Sequence, residues 1–300
     1  MFETTPFAAD ELDSYFRRIG WEGDRRADAE TLRGVHLAHS RAIPFENLDP
    51  LRGTVPSLAP SDLIAKLVRD GRRGGYCYEH NTLFAAVLEA LGLGVTLLTA
   101  RVVVGAQRFE ERPRTHMALL VDVPGEPRPC LADVGFGAPG ALLEPVPLTA
   151  DVEFRGAGRR HRLVHAPHRG PLELWVLETH MGTRGMRGTR GEQGEQGASG
   201  EDRDGGWQAQ YAFTLEPFER SDYEVINWHI ATNPRSPFGS RAYVQRLTPD
   251  GHLLLNGPLL TESHADGTVK QRELTDEAEA RRVLDEEFGI AVPDGTRLLP

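Results

Sequence analysis

The sequence is poor in cysteine: Cys77 and Cys130 are all that its 300 residues contain. Two thiols make neither a disulfide framework nor a cysteine-rich zinc site. Long apolar runs are missing too. Stretches such as 95–100 and 102–104 are strand-sized, far short of the roughly 20 residues that span a bilayer. Positive charge is not in excess, since 34 Lys and Arg against 44 Asp and Glu leave a net charge of −10. A chain that coats nucleic acid or sits on an anionic membrane would carry the opposite sign. The first residues include acids and no apolar segment, so no signal peptide is expected and both thiols are read as reduced, in the cytoplasm. None of the histidines falls in an HExxH or paired-cysteine pattern, so no metal is expected. A GxxxxGKS/T loop, a strand-linked GxGxxG and a GxSxG elbow are likewise missing.

What is present reads as an ordinary globular chain, 39% hydrophobic and 26% charged. Apolar residues at spacings of three and four predict helices over 10–19, 29–40, 61–68 and 77–91. Asp10 is the expected cap of the first helix, and Ser61 or Asp62 of the third. After residue 93 the texture becomes β-rich. Strands are predicted over 95–104, 116–123, 130–136, 162–165, 172–178 and 208–214, as a barrel or curled sheet. A helix over 219–230, strands over 243–247, 252–260 and 268–274, and a last helix capped by Thr275 complete the reading. Between 181 and 206 glycine falls at every third position from 182 to 200. That is collagen spacing, but the stretch has no proline, and a polar loop inserted between two strands is the expectation.

Cys77 sits in Arg72-Arg73-Gly74-Gly75-Tyr76-Cys77-Tyr78-Glu79-His80-Asn81, just where a helix begins. The positive end of a helix and nearby arginines both favour thiolate over thiol. Cys130 opens an apolar strand and reads as a core cysteine. A thiolate nucleophile needs a base, and the base needs an orienting group. His116 opens the strand His116-Met117-Ala118-Leu119-Leu120-Val121, which is unusual for a polar ring. Asp133 lies in Leu131-Ala132-Asp133-Val134-Gly135-Phe136-Gly137, and a carboxylate in an apolar run needs a partner. Neighbouring strands could pair the two. The chemistry narrows to Cys-His-Asp nucleophilic catalysis or to none.

These segments resemble the arylamine N-acetyltransferase family. Residues 73–81 are similar to its RGGxCxExN motif, 43–48 to its IPFENL segment and 15–20 to its YxxRIG opening. Asn227 with 232–238 resembles its later N…S/T-x-P-x-S-x-F stretch, and His116 and Asp133 fall where the family has its His and Asp. The resemblance runs over about residues 10–290 and misses only the glycine triplets. It implies an α+β fold: an N-terminal helical bundle (1–92), a central β-barrel (93–206, with the insertion) and a C-terminal α/β lid (207–300), papain-like in its first lobe. It implies Cys77 as acyl acceptor, His116 as base and Asp133 as orienting acid. Arg73 and Glu46 would form a structural salt bridge, and Phe45 and Phe136 would line an arylamine pocket. Thr115 and Gly137 would contact the coenzyme, with acetyl-CoA as acyl donor and an arylamine or arylhydrazine as acceptor. Amide synthases that close macrolactams from carrier-bound chains share this triad and form the alternative. A cysteine hydrolase and a non-catalytic binding protein are the more distant ones. Assembly into a homo-oligomer is left open.

Overall fold

The structure, a computed structural model, describes residues 7, 9–181, 206–248, 251–264 and 268–299. The glycine-triplet segment from 182 onward lies outside them. Helices α1 (Ala9–Ile19) and α2 (Ala29–Ala42) bury the expected stripes, among them Tyr15, Phe16, Leu32 and Val35. Asp28 caps α2 by accepting the Thr31 N–H at 2.8 Å. After the short α3 (Leu48–Leu51), α4 (Pro60–Leu63) continues as a π-helical turn over Ile64–Arg69. Its start is Ala59 with Pro60 in the first turn, rather than Ser61 or Asp62, because proline has no N–H to satisfy there. Asp10 likewise falls inside α1, not at its cap. Helix α5 (Cys77–Ala90) buries every residue from Cys77 to Leu88, so it runs through the centre of the helical lobe.

Strands β1 (Gly94–Val102), β2 (Arg114–Asp122), β3 (Cys130–Ala132), β4 (Val146–Pro147), β5 (Glu153–Gly156), β6 (Arg159–Ala166), β7 (Leu174–His180) and β8 (Trp207–Phe218) form one antiparallel sheet. Its order is β4-β3-β2-β1-β8-β7-β6-β5. A bridge between Ala150 and Leu163 brings its two ends nearly into closure as a barrel. Alternation along β2 sends Met117, Leu119 and Val121 to the helical core and Ala118 to the barrel interior. Strand β8 lies between β1 and β7, so the barrel runs on through Phe218 instead of ending at residue 206. The inserted segment splits a hairpin, and its ends meet where Met181 N–H donates to Gly206 C=O at 3.1 Å.

Helix α6 (Arg220–Thr232) leads to a meander of β9 (Tyr243–Thr248), β10 (Gly251–Asn256), β11 (Leu259–His264) and β12 (Val269–Glu273). The single strand expected over 252–260 is two strands, turned at Gly257 with φ +58°. Helix α7 (Glu277–Glu286) packs Ala280, Val283 and Leu284 on the meander. Its cap is Asp276, not Thr275. The strand expected over 130–136 stops at Ala132, which frees residues 133–143 to form the loop beside Cys77. Among the described residues no helix is long and apolar enough to cross a membrane.

Candidate active site

Gly74 and Gly75 place Cys77. A Cβ on Gly74 would lie 1.9 Å from Pro44 O, and one on Gly75 would meet the Glu79 side chain at 2.8 Å. Only bare backbone fits between the 43–48 segment and the start of α5. Glu79 accepts the Tyr76 N–H at 3.1 Å and so caps the helix. Cys77 opens α5 and is buried, with Sγ 3.9 Å from Thr115 O. The arginines do not attend the sulfur. Arg72 pairs with Asp285, and Arg73 turns back to Glu46 and Asp49.

His116 lies at the start of β2, wholly enclosed, with Nε2 2.7 Å from Asp133 Oδ2. The Cys77 side chain acts on the same ring. Burial alone would lower the pKa of the ring. Asp133 and Cys77 reverse that and carry it up to about 10. Burial also works against the Asp133 carboxylate. His116, the Asn81 amide and the Gly135 N–H (both 2.9 Å, to Oδ1) hold it below the usual carboxylate range. Gly135 touches both partners, since a Cβ there would lie 2.8 Å from Cys77 Cα. Cys77, His116 and Asp133 therefore meet where α5, β2 and the 133–143 loop converge.

Beneath α5 lies a cluster of charges. Arg73 Nη2 is 2.8 Å from Glu46 Oε1 and 2.9 Å from Asp49 Oδ1. Lys66 Nζ is 2.6 Å from Asp49 Oδ2 and 2.7 Å from Glu79 Oε1. Three carboxylates share two cations, and burial pushes the Glu79 carboxyl up to about 7.

A family model described as N-acetyltransferase matches residues 28–297. The arylamine N-acetyltransferase of Mycolicibacterium smegmatis is 38% identical over 288 residues, covering 95% of this chain and 93% of that protein. The Escherichia coli K12 arylamine N-acetyltransferase is 34% identical over 284 residues, covering 94% and 90%. The crystal structure of the Nocardia farcinica arylamine N-acetyltransferase superposes with a TM-score of 0.81 at 37% identity, covering 97% and 94%. The chain belongs to the arylamine N-acetyltransferase family. As a member it is an acyltransferase, and the expected α+β fold is the family's. A further family structure, the Mycobacterium marinum enzyme in complex with CoA, matches at TM-score 0.78 and 33% identity over 93% and 92%.

The remaining motif residues of the family are spread around the site. Phe136 stands edge-on to the His116 ring, centroids 5.2 Å apart. Phe45 sits apart from it, on Gly137, where a Cβ would reach within 2.4 Å of the Phe45 ring. Backbone bonds of 2.9 Å tie Phe45 to Gln245 of β9. The two phenylalanines do not share the small cleft, about 40 Å³, behind Asp133. That cleft is lined by Ser40, Phe45, His80, Gly137, Gln245 and His252, and by neither Cys77, His116 nor Phe136. Thr115 offers its carbonyl to Tyr78 Oη at 2.6 Å. Asn47 binds Phe238 O and Arg241 O (2.8 Å each), and Tyr76 binds Asn227, so the outlying motifs tie residues 227–241 to the 43–48 segment and the start of α5. Among the described residues no group of three or more His, Cys, Asp or Glu could hold a metal ion.

Two contributors escaped the sequence reading. Asn81 donates to Met117 O at 2.7 Å and to Asp133, and accepts the Val134 N–H at 3.1 Å. Its signal was there: it lies four residues after Cys77, hence on the same helix face. Tyr211 packs at a tilt against the His116 ring, centroids 5.0 Å apart. It comes from β8, and nothing local in the sequence points to it.

Proposed function

We propose that this chain transfers an acetyl group from acetyl-CoA to the nitrogen of an arylamine or arylhydrazine, through a thioester on Cys77, in the cytoplasm. The observation that carries the proposal is the buried His116–Asp133 bond set beside Cys77, with Gly135 packed against both Asp133 and the cysteine. An imidazolium beside a thiol is the setting in which the sulfur reacts as thiolate. Cys77 attacks the thioester carbonyl, and the N–H groups that open α5 receive the oxyanion. Collapse expels the CoA sulfur, which takes the His116 proton. Acylation removes the sulfur charge that helped to hold that proton, so the ring stays neutral and free to accept one when it is next needed. The amine attacks, His116 takes its proton, and the Cys77 thiolate leaves. Phe136, edge-on to His116, supplies an apolar wall for the aromatic ring, Phe45 lies outside that wall where it packs on Gly137, and Thr115 and Gly137 meet the coenzyme.

The test is intact-protein mass spectrometry after brief exposure to acetyl-CoA, then to an arylamine. A single acetyl adduct should appear, vanish faster with amine than with water, and be missing from Cys77→Ala. An adduct persisting in Cys77→Ala would overturn the route. No adduct in the wild-type chain would move the donor to a carrier-bound acyl chain, as in the amide synthases.

A further inference from the structure

We propose that His36 is a positioning residue for the triad: one side chain on α2 fixes both ends of the loop that carries Asp133. The inference rests on the Cys77-His116-Asp133 reading. His36 is fully buried. The Asp133 backbone N–H donates to its Nε2 at 3.1 Å, and its Nδ1 lies 3.1 Å from the Leu143 carbonyl. Each partner has one possible role, so the tautomer is forced. An N–H can only donate, so Nε2 accepts; a carbonyl can only accept, so Nδ1 bears the hydrogen.

The loop needs such a tie. Strand β3 stops at Ala132 and β4 begins at Val146, so no ladder orders residues 133–143. Yet this loop holds Asp133 against His116, Gly135 against Cys77, Phe136 against the His116 ring and Gly137 against Phe45. The outer edge of the His36 ring meets Phe84 of α5, centroids 5.7 Å apart and nearly perpendicular. His36 therefore references the acid to the helix that bears the nucleophile. Burial pulls its pKa down to about 4, against the pull of the Leu143 and Asp133 bonds and the Asp133 charge. The ring stays neutral at working pH, and the Asp133 N–H keeps its acceptor.

The test uses His36→Leu, which removes both bonds, and His36→Asn, which is too short to reach the Asp133 N–H but can still reach Leu143. In each, iodoacetamide alkylation of Cys77 at pH 7 should slow about tenfold, and its pH profile should move up by about one unit. The kcat should fall roughly ten- to a hundredfold with the amine KM unchanged, and His36→Gln should recover most of the loss. If His36→Leu does not fold, the profile of His36→Asn decides. An unchanged alkylation profile and kcat, with only the melting temperature lowered, would overturn the inference. Asp133→Asn run alongside separates the two readings. If it too leaves the profile unmoved, the triad reading has failed; if it moves the profile and the His36 variants do not, only the role of His36 has.

Discussion

Asp133 is a carboxylate with no access to water whose two oxygens face three donors, the His116 ring, Asn81 and Gly135. A carboxylate only accepts, so the arrangement is satisfied in one protonation state. Asparagine in its place would turn an N–H toward at least one of those donors. Facing His116, it would favour the opposite ring tautomer and take the proton away from the side of Cys77. Asp133→Asn should therefore lower kcat by about 10²–10⁴-fold. It should also cost roughly 1–3 kcal/mol of stability, because a buried donor loses its partner. Stopped-flow acylation and urea unfolding read the two effects separately. Wild-type acylation in a destabilised variant would reduce Asp133 to a structural residue.

At the scale of the element, the start of α5 is held by charges drawn from distant turns: Glu46 before α3, Asp49 within it, Lys66 in the π-turn, Arg73 and Glu79 on either side of Cys77. Lys66→Met would leave three carboxylates to Arg73 alone. Breaking one partner out of a buried network costs about 3–5 kcal/mol. Urea unfolding should show a loss of that size, and Glu79→Gln added to it should restore part. A loss under about 1 kcal/mol would mean that the cluster is screened by water like a surface pair. Little of this network was legible in the sequence. Arg73 and Glu46 emerged through the motif resemblance, but Lys66 reads locally as the solvent face of an amphipathic helix whose inward residues are Ile64, Leu67 and Val68. Local periodicity reports burial along one element, and it cannot report which distant carboxylate comes to meet a lysine. Cys77, His116 and Asp133 were legible because each breaks a local pattern: a cysteine after two glycines, a histidine and an aspartate in apolar runs. The strand expected over 130–136 failed at Asp133 for the same reason. The backbone N–H groups of Asp133 and Val134 go to His36 and Asn81 in place of a ladder.

The whole molecule closes around these groups, and burial gives its stability a definite pH dependence. Burial holds His36 and His80 down to about 4 and His161 and His252 to about 3, and puts His39 well below its ordinary value. Tyr15, His39, His80 and the Pro44 carbonyl form one hydrogen-bonded chain, and the His39–His80 contact needs one ring nitrogen to accept, so both rings cannot be protonated together. In the unfolded chain these rings titrate near 6.5. Below that pH the unfolded state takes up protons that the native state refuses, so stability falls on acidification from about 6.5 toward 4. A ring shifted from 6.5 to about 4 gives up roughly 2 kcal/mol at pH 5. Two groups act in the opposite sense. Glu79 and His116, raised to about 7 and about 10, bind protons more tightly in the native state, and their contribution is lost as pH rises through those values. Five histidines against two opposing groups leave acid destabilisation dominant. The melting temperature should therefore fall steadily from pH 7 to pH 5, and His80→Gln, which accepts and donates without titrating, should flatten the slope. A melting temperature at pH 5 equal to or above that at pH 7 would show that the buried rings are hydrated or already charged in the native state.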